Sequence, residues 1–151
     1  TTKASTTSQC QPAQLSGSFA TIVGSAGAGN IEARLVLTNM SPSTCVTGGY
    51  VGMQLLGTGG AVLPTNVVRV TTSPTVTITL APGDSTNAVA RYSPDVPGVG
   101  DSQTGQCQPV AYTAEVTPPN DTTHLTVDGP GTSVCEKGTL QFGPVQAGVG
   151  S

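Results

Sequence analysis

The feature that most constrains this chain is a period-two alternation of apolar and polar residues, broken at short intervals by turn-forming residues. In NIEARLVLTN, Ile31, Ala33, Leu35 and Leu37 fall on one face, with Glu32, Arg34, Val36 and Thr38 on the other. TVTITL places Val76, Ile78 and Leu80 inward against Thr75, Thr77 and Thr79. VAYTAEV sets Val110, Tyr112, Ala114 and Val116 against Ala111, Thr113 and Glu115. Such strands have one buried and one solvated face, as in antiparallel sheets. No stretch sustains a helical period. GTGG (57–60), APGD (81–84) and PPND (118–121) punctuate the pattern as turns. Strands are expected near 14–23, 30–39, 50–56, 61–70, 75–80, 86–93, 109–117, 123–128 and 138–143. Eight or nine strands without a helix predict an all-β fold, an immunoglobulin-like antiparallel β-sandwich, with a closed barrel as the alternative.

The chain has 151 residues, the size of one domain, and its packing residues are unusual. It has no Trp, two Phe and three Tyr, so Val, Leu, Ile and Ala must fill the core. Charged residues are only 9% of the chain, and 24 Thr supply much of the polar surface. A net charge of −3 with five basic residues leaves no basic stripe for nucleic acid and no polybasic segment for an acidic membrane surface. Apolar runs are too short to cross a bilayer. TTKASTTSQ (1–9) reads as a flexible linker, 10–146 as one domain and 147–151 as a tail. No leader peptide is visible, as expected of an exported protein in its mature form.

Four cysteines, Cys10, Cys45, Cys107 and Cys135, lie tens of residues apart, with no C-x-x-C and no histidine beside them. Metal sites show closer ligand pairs. Distant cysteines in even number predict two disulfides and an oxidising compartment, and three connectivities are open. Cys45, in the Ser- and Pro-containing loop SPSTC, reads as a staple because no cation or helix N-terminus in the sequence activates it.

The spaced motifs RLVLTNMSPSTCVTGGYVGMQLL, GGAVLPTNVVR, VTITLAPGDSTNAVARYS, CQPVAYTAEVTPPNDTTHLTV and VCEKGTLQFGPV together resemble an actinobacterial exported domain family, the domain of unknown function 4232. The resemblance spans roughly Cys10 to Val145. The chain departs from the family pattern in having Val51 where proline is common, and small residues where aromatics are common. The resemblance implies a β-sandwich in a secreted protein or lipoprotein, with the pairs Cys10–Cys45 and Cys107–Cys135. It implies no catalytic activity.

The residues themselves offer little chemistry. His124 is the only histidine, and Asp121 lies near it in sequence. An acid–base pair still needs a nucleophile and an oxyanion hole, and no GxSxG occurs. His124 with Met40 or Met53 makes only a scattered copper set. GSAGAGN (24–30) lacks the helix and lysine of a phosphate cradle and reads as a turn. Asp95 and Asp101 lie in the long loop 93–107 without the alternating ligand spacing of a calcium loop, and are expected to be solvated. Asn39 and Asn120 fit the glycosylation pattern by chance. Tyr50, Tyr92 and Tyr112 are expected at core or rim positions rather than on a sugar platform.

The reading that follows is a non-enzymatic exported binding module with no cofactor. Its partner would be an unknown envelope protein or ligand, and a lipid or single-helix anchor would lie upstream. The loops 93–107 and 118–124, with Asp95, Asp101, Asp121 and His124, are the first candidate contacts. A copper or redox protein is the alternative, and a hydrolase is the weakest option.

Overall fold

The computed structural model describes residues 7–150. Among these residues eleven strands follow one another: β1 (Leu15–Thr21), β2 (Ile31–Asn39), β3 (Cys45–Thr47), β4 (Gly52–Leu56), β5 (Asn66–Arg69), β6 (Ile78–Leu80), β7 (Ser85–Tyr92), β8 (Ala111–Thr117), β9 (Leu125–Thr132), β10 (Thr139–Phe142) and β11 (Gln146–Ala147). They form three sheets. One runs β1-β2-β7-β10-β5, with β11 also on β7; the second is the β3-β6 ribbon; the third is β4-β8-β9.

The alternation in β2 explains its place. Ala33, Leu35, Leu37 and Asn39 are buried, while the residues between them are partly exposed. Its neighbour β7 runs in register from Ile31↔Tyr92 to Thr38↔Ser85. β1 closes the other side of β2 from Leu15↔Asn39 to Thr21↔Ala33. Leu35, Leu37, Phe19 and Phe142 from this sheet share one core with Leu55, Val116 and Val127 of the three-stranded sheet. The rings of Phe19 and Phe142 stack at 5.9 Å. With so few aromatics, close backbone approach fills the rest: a Cβ on Gly17 would lie 2.8 Å from Val127 Cγ1.

The structure corrects several expectations. The sheets are not wholly antiparallel, because β5 runs parallel to β10. The expected strand 61–70 is not continuous. Val62 bridges Leu56 and Leu63 bonds back to Leu55, whereas β5 leaves that sheet for β10. In 75–80 only Ile78–Leu80 is strand, and Val76 is 42% exposed rather than inward. Tyr112 is exposed, not inward, where the β8–β9 pairing shifts register between Ala111 and Thr113, one residue of β8 facing three of β9. Cys45 opens β3 instead of lying in a loop.

The linker expectation for 1–9 falls mostly outside the described residues. Its last part is tied down, since the Val46 N–H donates to the Ser8 carbonyl and the Cys10 N–H to the Val46 carbonyl. At the other terminus β11 reaches Ala147, and the Gly148 N–H donates to Ser85. The 24–30 segment is a turn, as expected. Gly27 and Asn30 exchange two backbone hydrogen bonds around Ala28 and Gly29, both at positive φ (52° and 80°).

Because strand ends pair, the loops sort to two ends of the molecule. The 22–30, 93–110 and 133–138 segments gather where β2 begins and β7 finishes. The 48–51, 70–77 and 118–124 segments gather at the opposite end.

Candidate functional site

Both disulfides are formed, Cys10–Cys45 and Cys107–Cys135, as the family resemblance implied. Among the described residues there is no free cysteine. The first ties the chain entering β1 to β3. The second ties the end of the long loop to the turn Cys135–Gly138 before β10.

That turn explains Asp101. Glu136 and Lys137 adopt left-handed backbone (φ 56° and 53°), a conformation unfavourable for these residues without outside support. Asp101 provides it. Its carboxylate accepts the N–H of Glu136, the N–H of Lys137 at 2.8 Å, the N–H of Gly98 at 2.9 Å and the Gln108 amide at 2.8 Å. Burial pushes the Asp101 pKa up, but the hydrogen bonds from Gln108, Gly98, Lys137 and Glu136 outweigh it and hold the group at about 2. Asp101 is therefore a buried structural anion, 8% exposed, and not the solvated loop carboxylate expected. Asp95, in the same loop, is exposed.

An Asp101 carboxylate oxygen and the sulfurs of Cys107 and Cys135 all lie within 4.8 Å of one another. The two sulfurs are bonded to each other, so neither is a thiolate able to ligate a metal.

His124 and Asp121 do not form an acid–base pair. His124 Nε2 lies 3.0 Å from Glu115 Oε2, on the partly exposed face of the three-stranded sheet. Asp121 Oδ1 accepts the N–H groups of Thr122 (2.7 Å) and Thr123 (3.2 Å), closing its own loop. These bonds, led by Thr123, lower its pKa. Its other oxygen is out of solvent without a hydrogen-bond partner. Met40 is exposed just after β2, and Met53 packs in β4 against the core, so neither accompanies His124 in β9's approach loop. Asn39 is fully buried, its amide donating to Ser43 and Leu80, which leaves it closed to glycosylation.

A concave surface lies elsewhere, at the end of the molecule that holds the 118–124 loop. A groove of about 480 Å³ is lined by β3 residues, the Gly48–Gly49 loop, Thr75–Thr77, Pro119 and Asn120. A second hollow of about 420 Å³ adjoins it. Tyr50 and Arg69 line both. The Arg69 guanidinium stands 5.1 Å from the centroid of the Tyr50 ring, and the Tyr50 hydroxyl donates to the Val70 carbonyl at 2.7 Å. This ridge is built by local necessity. Gly48 passes so close to Val76 that a Cβ there would lie 2.4 Å from its carbonyl oxygen.

The expected loop 118–124 thus forms one wall of the groove through Pro119 and Asn120, while 93–107 is at the opposite end. Of the three tyrosines, Tyr92 is buried with its hydroxyl on Thr132, Tyr50 forms the ridge and Tyr112 is exposed. Arg69 was not singled out from the sequence. The only available signal was an arginine closing a valine-rich strand in a chain with three arginines.

The two disulfides suggest an oxidising, extracytoplasmic environment. Among the described residues no helix is long and apolar enough to cross a membrane. No curated protein and no solved structure gives a match. The family profile described as Domain of unknown function (DUF4232) matches residues 10–146. The four cysteines, the strand frame and the groove all fall within that span or at its edge, and the chain belongs to the DUF4232 family.

Proposed function

We propose that this is a non-enzymatic binding module of the cell envelope that holds its partner in the groove around Tyr50 and Arg69. The observation that carries the reading is the groove itself: a concavity of ligand-site size whose ridge pairs an aromatic ring with a guanidinium. Tyrosine and arginine are the residues that most often anchor interfaces. The disulfide frame and the low charge suit an exported domain, secreted or anchored upstream. An immunoglobulin-like sandwich, with loops displayed at both ends, would present such a groove in the same way as other binding domains. His124, paired to Glu115, and Asp121, turned to its own loop, supply no nucleophile–base set.

The test is site-specific photo-crosslinking. A benzophenone amino acid replaces Tyr50 or, as a control, the exposed Tyr112, and the protein is irradiated on whole cell envelopes. The reading expects a discrete adduct from position 50 that position 112 does not give. Equal adduct patterns from both positions would contradict it, as would turnover of a substrate that is abolished by substituting His124 or Asp121.

A further inference from the structure

Resting on that reading, we infer that the occupant is an extended peptide segment with one acidic residue, added as a strand to the open edge of β5. The β5 strand ends the six-stranded sheet, and among the described residues no strand pairs with its outer side. The Val70 N–H donates to the Phe142 carbonyl at 2.8 Å, and Arg69 is in register with Phe142. Backbone groups alternate sides along a strand, so the N–H and C=O of Val67 and Arg69 point away from β10. Both residues line the second hollow, whose far wall is the chain entering β4 and the end of β8. Two sheet margins therefore line one hollow of about 420 Å³, and on the β5 side the outward N–H and C=O groups of Val67 and Arg69 have no strand partner among the described residues.

Main-chain pairing of this kind gives affinity, and side chains at alternate positions give specificity. Here the specificity comes from charge. Arg69 stacks on Tyr50 and forms no ion pair among the described residues; Asp121, in the same hollow, has Oδ1 held by Thr122 and Thr123 instead. An acid on the peptide would neutralise the guanidinium. Asp121 lines the same hollow and disfavours a second acid beside the first.

Three measurements test this. A phage library of random eight-residue peptides is selected on wild-type protein and counter-selected on R69Q. The strongest sequence is then made as a blocked peptide, with a twin N-methylated at alternate nitrogens. Binding of both is measured to wild type, to R69Q and to V67P. Proline at Val67 removes an edge-facing N–H and no ladder bond, but it also trims a side chain that packs against the core, so the melting temperature should fall modestly and binding is read on the folded fraction. The inference expects an acidic residue in the enriched sequences, weakening of about tenfold or more in V67P, in R69Q and with the N-methylated twin, and slowed exchange of the Val67 and Arg69 amides. The N-methylated twin needs no change to the protein, so it decides the matter even if V67P misfolds. Binding indifferent to N-methylation, or no enrichment over R69Q, overturns it. If envelope adducts still form at position 50 in that case, only the peptide inference falls; if they too are absent, both readings fall.

Discussion

Replacing Asp101 by asparagine removes one acceptor from a carboxylate that serves four donors. Two of those donors hold the left-handed Glu136–Lys137 turn, and a third holds Gly98. An asparagine has one carbonyl oxygen and one NH₂ group in place of two acceptors. If its oxygen takes the site facing Gly98 and Glu136, the NH₂ faces the Lys137 N–H and the Gln108 amide. Gln108 can rotate its amide to present oxygen, but the Lys137 N–H cannot turn away. At least one buried donor is stranded and the remaining bonds lose their charge. A stranded buried group costs about 1–3 kcal/mol, and the weakened charge-assisted bonds add to it, so D101N should destabilise by roughly 2–4 kcal/mol.

The assay is urea unfolding at neutral pH with both disulfides intact. The midpoint should fall at nearly constant slope, with the melting temperature lower by roughly 5–15 °C. The charge has its own signature. Because folding holds Asp101 at about 2, below its ordinary value of 3.8, its contribution is complete above about pH 4 and is lost as the pH falls towards 2. That contribution is about 1–2 kcal/mol. The gap between wild type and D101N should narrow by this amount across that window. A variant within about 0.5 kcal/mol of wild type at neutral pH would refute the argument.

Other perturbations give distinct outcomes. Replacing Cys10 and Cys45, or Cys107 and Cys135, by serine pairs should each lower stability by roughly 3.5–4 kcal/mol in the loop-entropy account, given separations of 35 and 28 residues. Thermal unfolding of each variant checks this, and equal melting temperatures would contradict it. Gly138→Ala should cost about 3 kcal/mol or more, because φ is +76° and a Cβ would lie 1.9 Å from the Pro64 carbonyl oxygen. Poor expression with a lowered melting point is the expected readout. His124→Gln breaks a half-exposed ion pair and should change stability by less than about 1 kcal/mol, leaving envelope adducts at position 50 intact.

Much of the strand frame was legible in the sequence because one-sided burial imposes a period of two. All nine expected strands have counterparts, with boundaries shifted by a few residues or more. What escaped has identifiable causes. The strands β3 and β11 have three and two residues, too few to show a period. Tyr112 was assigned the wrong face because the pairing shifts register there, one residue of β8 facing three of β9, and the sequence of β8 alone does not show this. The parallel β5–β10 pairing joins segments 73 residues apart (Asn66 to Thr139), and alternation along a strand does not name its partner.

The same limit governed the sites. Asp101 sits in a loop of glycine, proline and serine that looks solvated, and two of its four donors, Glu136 and Lys137, come from the distant 135–138 turn that the Cys107–Cys135 bond holds beside it. Tyr50 and Arg69 are nineteen residues apart and meet across the gap between two sheets. The disulfide pairing, by contrast, came from the resemblance and not from the spacing, which left three connectivities open.

The central claim is that the Tyr50–Arg69 ridge holds the partner. Its most direct test is a binding isotherm for the partner identified by crosslinking at position 50, comparing wild type with the Y50A/R69Q double variant. The account predicts an affinity loss of about tenfold or more at a melting temperature close to that of the wild type. Equal affinity in a folded double variant would contradict it and return the search to the opposite end of the molecule, where the 93–107 loop lies.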